Sequence, residues 1–542
     1  MKPQTIFYYL IRCSVVLALA TLIWSAEVTN AQSGAPGTAN NLFLPLIPNS
    51  KIDPTKTPTP TATTEPGAPT ATMTAIPTAT TEPGAPTATP TATTPATPAR
   101  PAIFVDTEWK TSSASMAVDA QGGLHMAYYY YEPQDGQSPT SAVYIHCPAN
   151  CDVGSNWNGV SMGEGVREVQ LELTAAGQPR LLYRTTSTVQ NGGTDYYYAE
   201  CNTNCTDSNN WQTTLVVTSF GTSIFDIGED NLPQRYFALD PEGRPRFLYL
   251  DRNYLVEPDH YGLFYVTCES DCTDPAQWSQ ALISAVIQEE FFFDWEVITF
   301  TSLTFTSSGQ PRFIGELIPL ADQGERVTAL YYFACDTGCD EFANWSRVQI
   351  GERGQGSDLS WDLALDANDR PRVVHYPADL PDDKGEQLYY KWCNSDCLSA
   401  ANWTQVNLGL GARNGQEPDL ELDSQGRPRI AYADENAGGL GYAWCNVDCE
   451  SAQGQWQHEV IDWDAKLYSE WPVAYPITCD AGLWNGVTPS LALDAQGNPR
   501  VAYDTTYNAR CLYDDPNDSN DVPYYRFQLV MRAVRGIFFP QP

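Results

Sequence analysis

A hairpin sequence occurs seven times along the chain at intervals of roughly 60 residues, a period typical of propellers and solenoids. Its clearest form is LALDAQGNPRVAY at 491–503, an apolar strand, a tight turn and a second strand. In the turn, Asp bonds nearby backbone amides, Gly supplies a positive φ and Pro opens the second strand. The seven copies begin at residues 116, 171, 237, 303, 363, 420 and 491. The chain is therefore expected to contain seven similar β units.

A second signature follows six of the hairpins. It consists of a Tyr-containing strand, then Cys-x-x-x-Cys, then a Trp that opens a further strand. The tryptophans are Trp157, Trp211, Trp278, Trp345, Trp403 and Trp456. Together the two signatures give four strands per unit, which is the composition of a propeller blade. We therefore predict an all-β fold, a seven-bladed β-propeller of four-stranded antiparallel blades.

The number and spacing of the cysteines indicate disulfides. Of the 15 cysteines, Cys13 lies near the N-terminus, the six close pairs take twelve, and Cys479 and Cys511 remain. Each close pair lacks the further Cys or His ligands of a closed zinc site, so we predict no metal at these turns. The expected disulfides are Cys147–Cys151, Cys201–Cys205, Cys268–Cys272, Cys335–Cys339, Cys393–Cys397, Cys445–Cys449 and Cys479–Cys511, the last of them clamping a long loop.

The seventh unit has two hairpin strands and a third strand at about 525–533, but no Cys pair and no Trp-led strand. An N-terminal strand around 103–105 stands where a fourth strand of that unit is expected from the spacing of the other units. We predict that this strand closes the ring on the last blade and so removes the open sheet edges.

The first hundred residues differ from the rest in composition. Residues 1–31 have a basic start, an apolar run and small-residue cleavage positions, which indicates a signal peptide, with retention as an N-terminal anchor as the alternative. Residues 32–100 are rich in Thr, Pro and Ala, and PTATTEPGAPTAT occurs there twice, which predicts a disordered linker. Residues 101–542 then form the propeller, in a secreted or surface-displayed protein outside the cytoplasm.

The chain carries a formal net charge of −36, which opposes binding to nucleic acid or to anionic membrane surfaces. We expect a monomer whose partner is an extracellular glycan or protein. No cofactor is predicted. Ca²⁺ is the alternative considered at the acidic segment of Asp514, Asp515, Asp518 and Asp521, but the spacing is not that of an EF-hand loop.

The repeats over residues 101–542 resemble those of sialidase-like (BNR-type) propeller proteins of secreted bacterial chains. In that family an Asp box, Ser-x-Asp-x-Gly-x-x-Trp, fixes the turn before the Trp-led strand. Here Cys-x-x-x-Cys takes its place, as in CNSDCLSAANW at 393–403. The Asp box and the Arg-Ile-Pro of a sialidase's first catalytic arginine are both absent. The resemblance therefore implies the fold more than the activity.

Arginines follow the turn proline in six repeats, and we interpret them as part of the repeat architecture: Arg180, Arg246, Arg312, Arg372, Arg429 and Arg500. In a propeller, the hairpin turns and the cysteine turns lie on one face. Residues that differ between the blades concentrate in the loops of the other face, and these loops are acidic and aromatic. The candidate ligand-binding residues are Asp230, Trp295, Asp358, Trp361, Asp362, Glu417, Asp419, Trp471 and Trp484. The candidate catalytic residues are Glu316, assigned to the position of a strand tyrosine in other blades, Asp362 and Asp419.

Three functions are consistent with these features. The leading hypothesis is a non-catalytic, surface-displayed propeller that binds glycan or protein, because the linker suits display and no catalytic motif is intact. The alternative is a sialidase-like glycoside hydrolase, which needs two carboxylates about 5–9.5 Å apart. The third is a structural protein of the cell envelope without a specific ligand.

Overall fold

The structure, a computed structural model, describes residues 103–104, 111–130, 141–187, 193–219, 235–253, 260–286, 298–317, 329–351, 360–377, 387–411, 414–463, 479–513 and 524–537. These residues form seven four-stranded antiparallel sheets. The predicted seven-bladed β-propeller is thereby confirmed. Within the described residues, no helix is both long enough and apolar enough to cross a bilayer.

Six blades follow the order of the chain. Blade 1 contains β2 (Thr111–Val118), β3 (Leu124–Tyr130), β4 (Ser141–Cys147) and β5 (Asn158–Met162). Blade 2 contains β6 (Val166–Leu173), β7 (Pro179–Thr186), β8 (Thr194–Cys201) and β9 (Trp211–Ser219). Blade 3 contains β10 (Phe237–Leu239), β11 (Pro245–Asn253), β12 (His260–Cys268) and β13 (Trp278–Val286).

Blade 4 contains β14 (Ile298–Phe305), β15 (Pro311–Leu317), β16 (Ala329–Ala334) and β17 (Ser346–Gln349). Blade 5 contains β18 (Ser360–Leu365), β19 (Pro371–Tyr376), β20 (Tyr389–Cys393) and β21 (Trp403–Asn407). Blade 6 contains β22 (Asn414–Leu422), β23 (Pro428–Asp434), β24 (Gly439–Cys445) and β25 (Trp456–Trp463). Blade 7 contains β26 (Cys479–Leu493), β27 (Pro499–Tyr513), β28 (Tyr524–Ile537) and the N-terminal β1 (Ile103–Phe104).

Blade 7 joins the two ends of the propeller. Ile103 pairs with Gly536 and Phe104 with Arg535, in an antiparallel ladder. The first strand of the propeller is thus the fourth strand of its last blade, as the missing Trp-led strand predicted. Pairing across the two ends covers the edge of β28, which would otherwise present unpaired backbone groups.

The hairpin turns follow the predicted chemistry. In blade 7, the Asp494 carboxylate accepts hydrogen bonds from the Gln496 and Asn498 amides at 3.0 and 2.8 Å, and Gly497 has φ 80°. In blade 5 the glycine position is held by Asp369, with φ 61°. Aspartate tolerates this left-handed conformation better than most residues, so the turn is kept.

The turn arginines are structural, as interpreted from their recurrence. Five of them donate to the carbonyl of the first cysteine in their own blade, from Arg180, Arg246, Arg312, Arg372 and Arg429. Arg246, Arg372 and Arg429 of this set, and Arg500 of blade 7, also donate to the hairpin aspartate of their blade. Arg246, Arg372 and Arg429 therefore tie the hairpin turn of their blade to its cysteine turn.

The six cysteine turns are closed by disulfides with S–S distances from 2.04 to 2.15 Å. The first five continue into one turn of 3₁₀ helix: Gly154–Asn156, Ser208–Asn210, Pro275–Gln277, Phe342–Asn344 and Ala400–Asn402. The tryptophan that follows donates its indole N–H to the carbonyl of the second cysteine, as Trp403 does to Cys397 at 2.9 Å. The turn thus orients the tryptophan that opens the fourth strand of the blade.

Five of the six turn tryptophans connect neighbouring blades. Each of the five packs on a tyrosine of the preceding blade, with ring centroids 5.1–5.6 Å apart in the pairs Tyr144–Trp211, Tyr198–Trp278, Tyr265–Trp345, Tyr332–Trp403 and Tyr390–Trp456. Aromatic pairs of this kind stabilise by about 0.5–1.5 kcal/mol beyond the area that they bury. We call the face that carries the six disulfide turns the stapled face. It therefore also carries a series of aromatic contacts between neighbouring blades.

Blade 6 departs from this turn. Trp456 follows Cys449 by one residue more than the corresponding spacing in the other blades, and no 3₁₀ turn is assigned between them. The buried indole N–H of Trp456 has no hydrogen-bond partner. One inserted residue is enough to move the cysteine carbonyl out of reach of the indole.

Candidate functional site

The innermost strands are connected to one another by a closed set of hydrogen bonds around the channel. In six blades the side chain just before the first apolar residue of the hairpin repeat bonds to an adjacent blade, and in blade 3 the Arg235 carbonyl does so. The bonds are Leu171 N–Ser115 Oγ (3.0 Å), Phe237 N–Gln170 Oε1 (3.0 Å), Leu303 N–Arg235 O (2.7 Å), Ser302 Oγ–Asp362 Oδ1 (2.5 Å), Leu420 N–Asp362 Oδ2 (2.7 Å), Leu491 N–Asp419 Oδ2 (2.7 Å) and Met116 N–Ser490 Oγ (2.9 Å). All seven junctions between blades are bridged in this way.

Two candidate catalytic residues, Asp362 and Asp419, belong to these bonds. Asp362 accepts from Ser302, from Leu420 and from the Leu363 amide at 2.8 Å, and it is 3% exposed. Asp419 is 2% exposed. Buried carboxylates that satisfy backbone amides hold the blades in register. Their placement favours a structural role, and a catalytic role stays a prediction.

Arg235 of blade 3 reaches across the channel to three other blades. Its guanidinium lies 2.5 Å from Asp419 Oδ1, 3.1 Å from Glu421 Oε1 and 3.7 Å from Asp362 Oδ2. It also donates to the Leu491 carbonyl at 3.4 Å. The Arg235 side chain is 34% exposed, so water reaches it from the channel. The positive charge of Arg235 thus offsets part of the negative charge of the acidic groups in blades 5 and 6.

The cluster around Arg235 has more acids than this single cation neutralises. Burial raises the pKa of Asp419 well above its usual range, with Asp362 and Glu421 adding to the rise and Arg235 opposing it. Burial also raises the pKa of Glu172 to about 7, with Arg235 lowering it and Glu421 raising it. The channel wall therefore holds more acidic groups than one arginine can pair, and burial raises the pKa values of Asp419, Glu421 and Glu172.

Replacing Glu172 by glutamine is expected to stabilise the protein at pH 8 and to have little effect at pH 4. A pKa raised from 4.5 to about 7 means that the folded state binds more protons between these values, so stability is lost as the pH rises through this window. Because channel water screens the charge, we expect a gain of about 1–2 kcal/mol at pH 8. Urea unfolding at both pH values measures it.

Glu164→Gln is the control, since Glu164 is exposed. Its stability difference from the wild type should be small and equal at both pH values. An equal difference at pH 4 and pH 8 for Glu172→Gln would contradict the assignment.

Blade 7 extends beyond the other blades. Strands β26, β27 and β28, which follow one another in the chain, have 15, 15 and 14 residues. Among the other described blades no strand is longer than 9 residues. The extra length lies at the start of β26, the end of β27 and the start of β28, ends that belong to the face opposite the stapled turns. Seven extra residue pairs span roughly 24 Å at 3.4 Å per residue.

The register of this extension alternates apolar and polar rows. Cys479, Cys511 and Phe527 are paired across the three strands, and so are Leu483, Tyr507 and Met531. The intervening rows include Asp480–Arg510–Gln528 and Trp484–Thr506–Arg532. Positions two apart in a strand share a face, so the extension has one predominantly apolar face and one polar face.

Cys479 and Cys511 are direct cross-strand partners. The predicted long loop that this pair would clamp is wrong in part, because residues 479–485 and 505–511 continue the ladder of the blade as strands. Their disulfide stays a prediction. Peptide mapping without reduction should yield a crosslinked 479–511 peptide, and either cysteine found free or joined to a turn cysteine would contradict it. On the chain-entropy model this closure is worth about 3–4 kcal/mol.

Several other candidates also have defined positions. Glu417 accepts from the Thr488 amide at 2.5 Å, while its own amide donates to Ser360 Oγ at 2.8 Å, so it too connects blades. Trp361 is 3% exposed and packs in an apolar cluster with Ile314 and Leu363. Both placements favour structural roles, and ligand binding by these residues stays a prediction.

The position assigned to Glu316 needs correction. Counted from the proline that opens the second hairpin strand, Gly315 takes the place of Tyr503, and Glu316 takes the place of Asp504. Asp504 accepts from the Ser113 amide of blade 1 at 2.9 Å. Of the remaining candidates, Trp484 lies on β26, whereas Asp230, Trp295, Asp358, Trp471 and the four aspartates considered for Ca²⁺ lie outside the described residues.

Sequence reasoning missed Arg235, Glu172 and Glu421. A signal was present for the ring of bonds, because a polar residue precedes the first apolar residue of the hairpin in six of the seven repeats. No comparable signal marked Arg235, which stands outside the repeated hairpin and pairs with residues 186 positions away.

No family model and no curated protein matches the chain. Solved structures with a similar fold include a protein of unknown function from Dyadobacter fermentans DSM 18053, at 11% identity and TM-score 0.38, covering 80% of this chain and 97% of that one. They also include a PL25 ulvan lyase, at 10% identity and TM-score 0.39, covering 80% and 95%. A third is an α-L-arabinofuranosidase from Fusarium graminearum, at 12% identity and TM-score 0.34, covering 60% and 88%. At these values the similarities assign no substrate and no reaction to this chain.

Proposed function

We propose that the chain is an extracytoplasmic binding propeller, displayed on its Thr/Pro-rich linker, that recognises a glycan or protein without catalysing a reaction on it. The observation that carries this proposal is the three-stranded extension of blade 7. It projects on the face opposite the stapled turns. It is paired along its length, so it offers a preordered surface.

The composition of the extension suits recognition. It carries Tyr507 and Phe527 in its apolar rows, Trp484 in a polar row, and the paired Tyr513 and Tyr524 at its end. Aromatic residues on a rigid element bring large contact area at small cost in conformational entropy, which is why they are enriched in binding surfaces. The polar rows add hydrogen-bonding groups beside them.

The channel supports binding over hydrolysis. A glycoside hydrolase needs one carboxyl group as acid and a second as base or nucleophile, both facing substrate. Asp362 and Asp419 are instead occupied by backbone amides and by Arg235. The disulfide turns and the aromatic contacts hold the stapled face rigid, as a scaffold for a recognition surface requires.

The full chain should be screened on a glycan array and against fluorogenic glycosides. We expect binding without turnover, and we expect Trp484→Ala to weaken that binding at least tenfold. Phe342→Ala is the matched control, because Phe342 is an aromatic residue 56% exposed on the stapled face. Turnover that is lost in Glu316→Gln would overturn the proposal in favour of a hydrolase, and equal effects of the two aromatic variants would remove the extension as the binding surface.

A further inference from the structure

Blade 1 differs from the other blades at the junction of its hairpin turn and its cysteine turn. In blades 3, 5, 6 and 7 the outer oxygen of the hairpin aspartate, Oδ2, receives two side-chain donors. One comes from four residues on, from Arg244, Arg370, Arg427 or Asn498 at 2.7–2.9 Å. The other comes from six residues on, from Arg246, Arg372, Arg429 or Arg500 at 2.7–3.0 Å.

Blade 1 has neither of these donors in its usual form, and the one side-chain hydrogen bond recorded to Asp119 Oδ2 comes from His125 Nε2 at 3.3 Å. Gly123 stands at the first position and His125 at the second. A Cβ atom at Gly123 would lie 2.6 Å from Asp119 Oδ2, so the glycine leaves the space beside this oxygen open. The inner oxygen, Oδ1, is still held by the Gln121 and Gly123 amides at 2.9 and 2.7 Å. The turn geometry is therefore kept, but Asp119 Oδ2 lacks the arginine that binds the corresponding oxygen in blades 3, 5, 6 and 7.

The imidazole rings of His125 and His146 lie beside Asp119 Oδ2, where the other blades have an arginine. His125 and His146 are direct cross-strand partners, and their ring centroids are 4.3 Å apart. Their Nε2 atoms lie 3.3 and 4.0 Å from Asp119 Oδ2. One donor atom from each of the three residues falls within 4.8 Å of the others. Two of the chain's five histidines therefore meet at one carboxylate oxygen.

We propose that Asp119, His125 and His146 bind a divalent transition-metal ion of the Zn²⁺ class on the stapled face of blade 1. Two imidazole nitrogens and a carboxylate oxygen are a ligand set of three-ligand zinc sites, which keep a fourth position for water. Ligands of a tetrahedral zinc ion lie about 3.3 Å apart, close to the separation of His125 Nε2 from Asp119 Oδ2. The ion supplies the positive charge that arginine supplies in the other blades.

The surroundings favour a metal ion over a simple substitution of histidine for arginine. His125 Nδ1 lies 2.6 Å from the Tyr144 hydroxyl, and a metal-binding histidine commonly bonds a neighbour through its other ring nitrogen. His146 Nε2 is buried and has no hydrogen-bond partner. The side chains of His146 and Asp119 are 28% and 13% exposed, so an ion and its water can enter.

Three neighbouring elements supply the three ligand atoms: Asp119 from the hairpin turn between β2 and β3, His125 from β3 and His146 from β4. Our sequence prediction of no metal considered the cysteine turns and did not combine these histidines.

The test uses the full chain, purified without a histidine tag, stripped of metal and titrated with Co²⁺. We expect one Co²⁺ per chain with visible d–d absorption, displaced by Zn²⁺, and a higher melting temperature with Zn²⁺. His125→Arg restores the arrangement of the other blades and should fold, yet lose the Co²⁺ spectrum and the Zn²⁺ shift. Tyr144→Phe should weaken binding by about 10- to 100-fold.

His458→Ala is the matched control, because His458 is exposed on β25 of blade 6, and it should bind as the wild type does. Absence of Co²⁺ binding by the wild type would overturn the proposal, and so would equal binding by His125→Arg. The proposal does not depend on the proposed recognition of glycan or protein, because both readouts are made without either ligand.

Discussion

Replacing Arg372 by alanine is expected to lower the free energy of unfolding by about 3–5 kcal/mol, the usual cost of removing one partner from a buried ionic network. Arg372 is 1% exposed. It donates to the Cys393 carbonyl at 3.1 Å, to Asp366 at 3.0 Å and to Asn394 at 2.9 Å. Without it, the Cys393 carbonyl and the Asp366 carboxylate remain buried with fewer partners, and the two turns of blade 5 lose their connection. Urea unfolding followed by tryptophan fluorescence measures the loss.

Arg347→Ala is the matched control for this variant. Arg347 is exposed on β17 in the neighbouring blade, where its guanidinium lies 5.6 Å from the Tyr331 ring centroid. An exposed contact of this kind contributes about 0.5–1 kcal/mol. If Arg372→Ala destabilised the chain no more than Arg347→Ala does, the turn arginines would not have the architectural role assigned to them.

Local features of this fold were predictable because each is encoded within a few residues. The hairpin turn needs Asp, a residue that accepts positive φ, and Pro at fixed spacing, and the exception at Asp369 was also interpretable. The cysteine turn needs only two cysteines four residues apart before a tryptophan. Counting strands against these signatures then identified the missing strand of blade 7 and the segment that supplies it.

Contacts between blades were harder to predict, because they depend on how sheets meet after the ring closes. Asp362 and Asp419 attracted attention as unusual acids, but their partners are amides 58 and 72 residues away. Arg235 bonds across the channel to blade 6. The histidines of blade 1 are each unremarkable in sequence, and only their cross-strand pairing brings them to one carboxylate. The repeated polar position before the hairpin marks one group of several of these bonds, but no local pattern identifies the partner in another blade.

Deleting residues 101–109 is expected to lower the melting temperature by at least about 5 °C, whereas deleting 34–98 should barely change it. The first deletion removes β1, which pairs with β28 and closes the ring. It leaves β28 as an open edge whose unpaired backbone groups can recruit another chain. We therefore also expect self-association, seen as a larger species in size-exclusion chromatography with light scattering.

The second deletion removes a segment whose Thr, Pro and Ala composition cannot bury a core, so it provides the matched control for loss of N-terminal sequence. Equal melting temperatures for the two deletions, with both proteins monomeric, would mean that the pairing of β1 with β28 contributes nothing to holding the propeller closed.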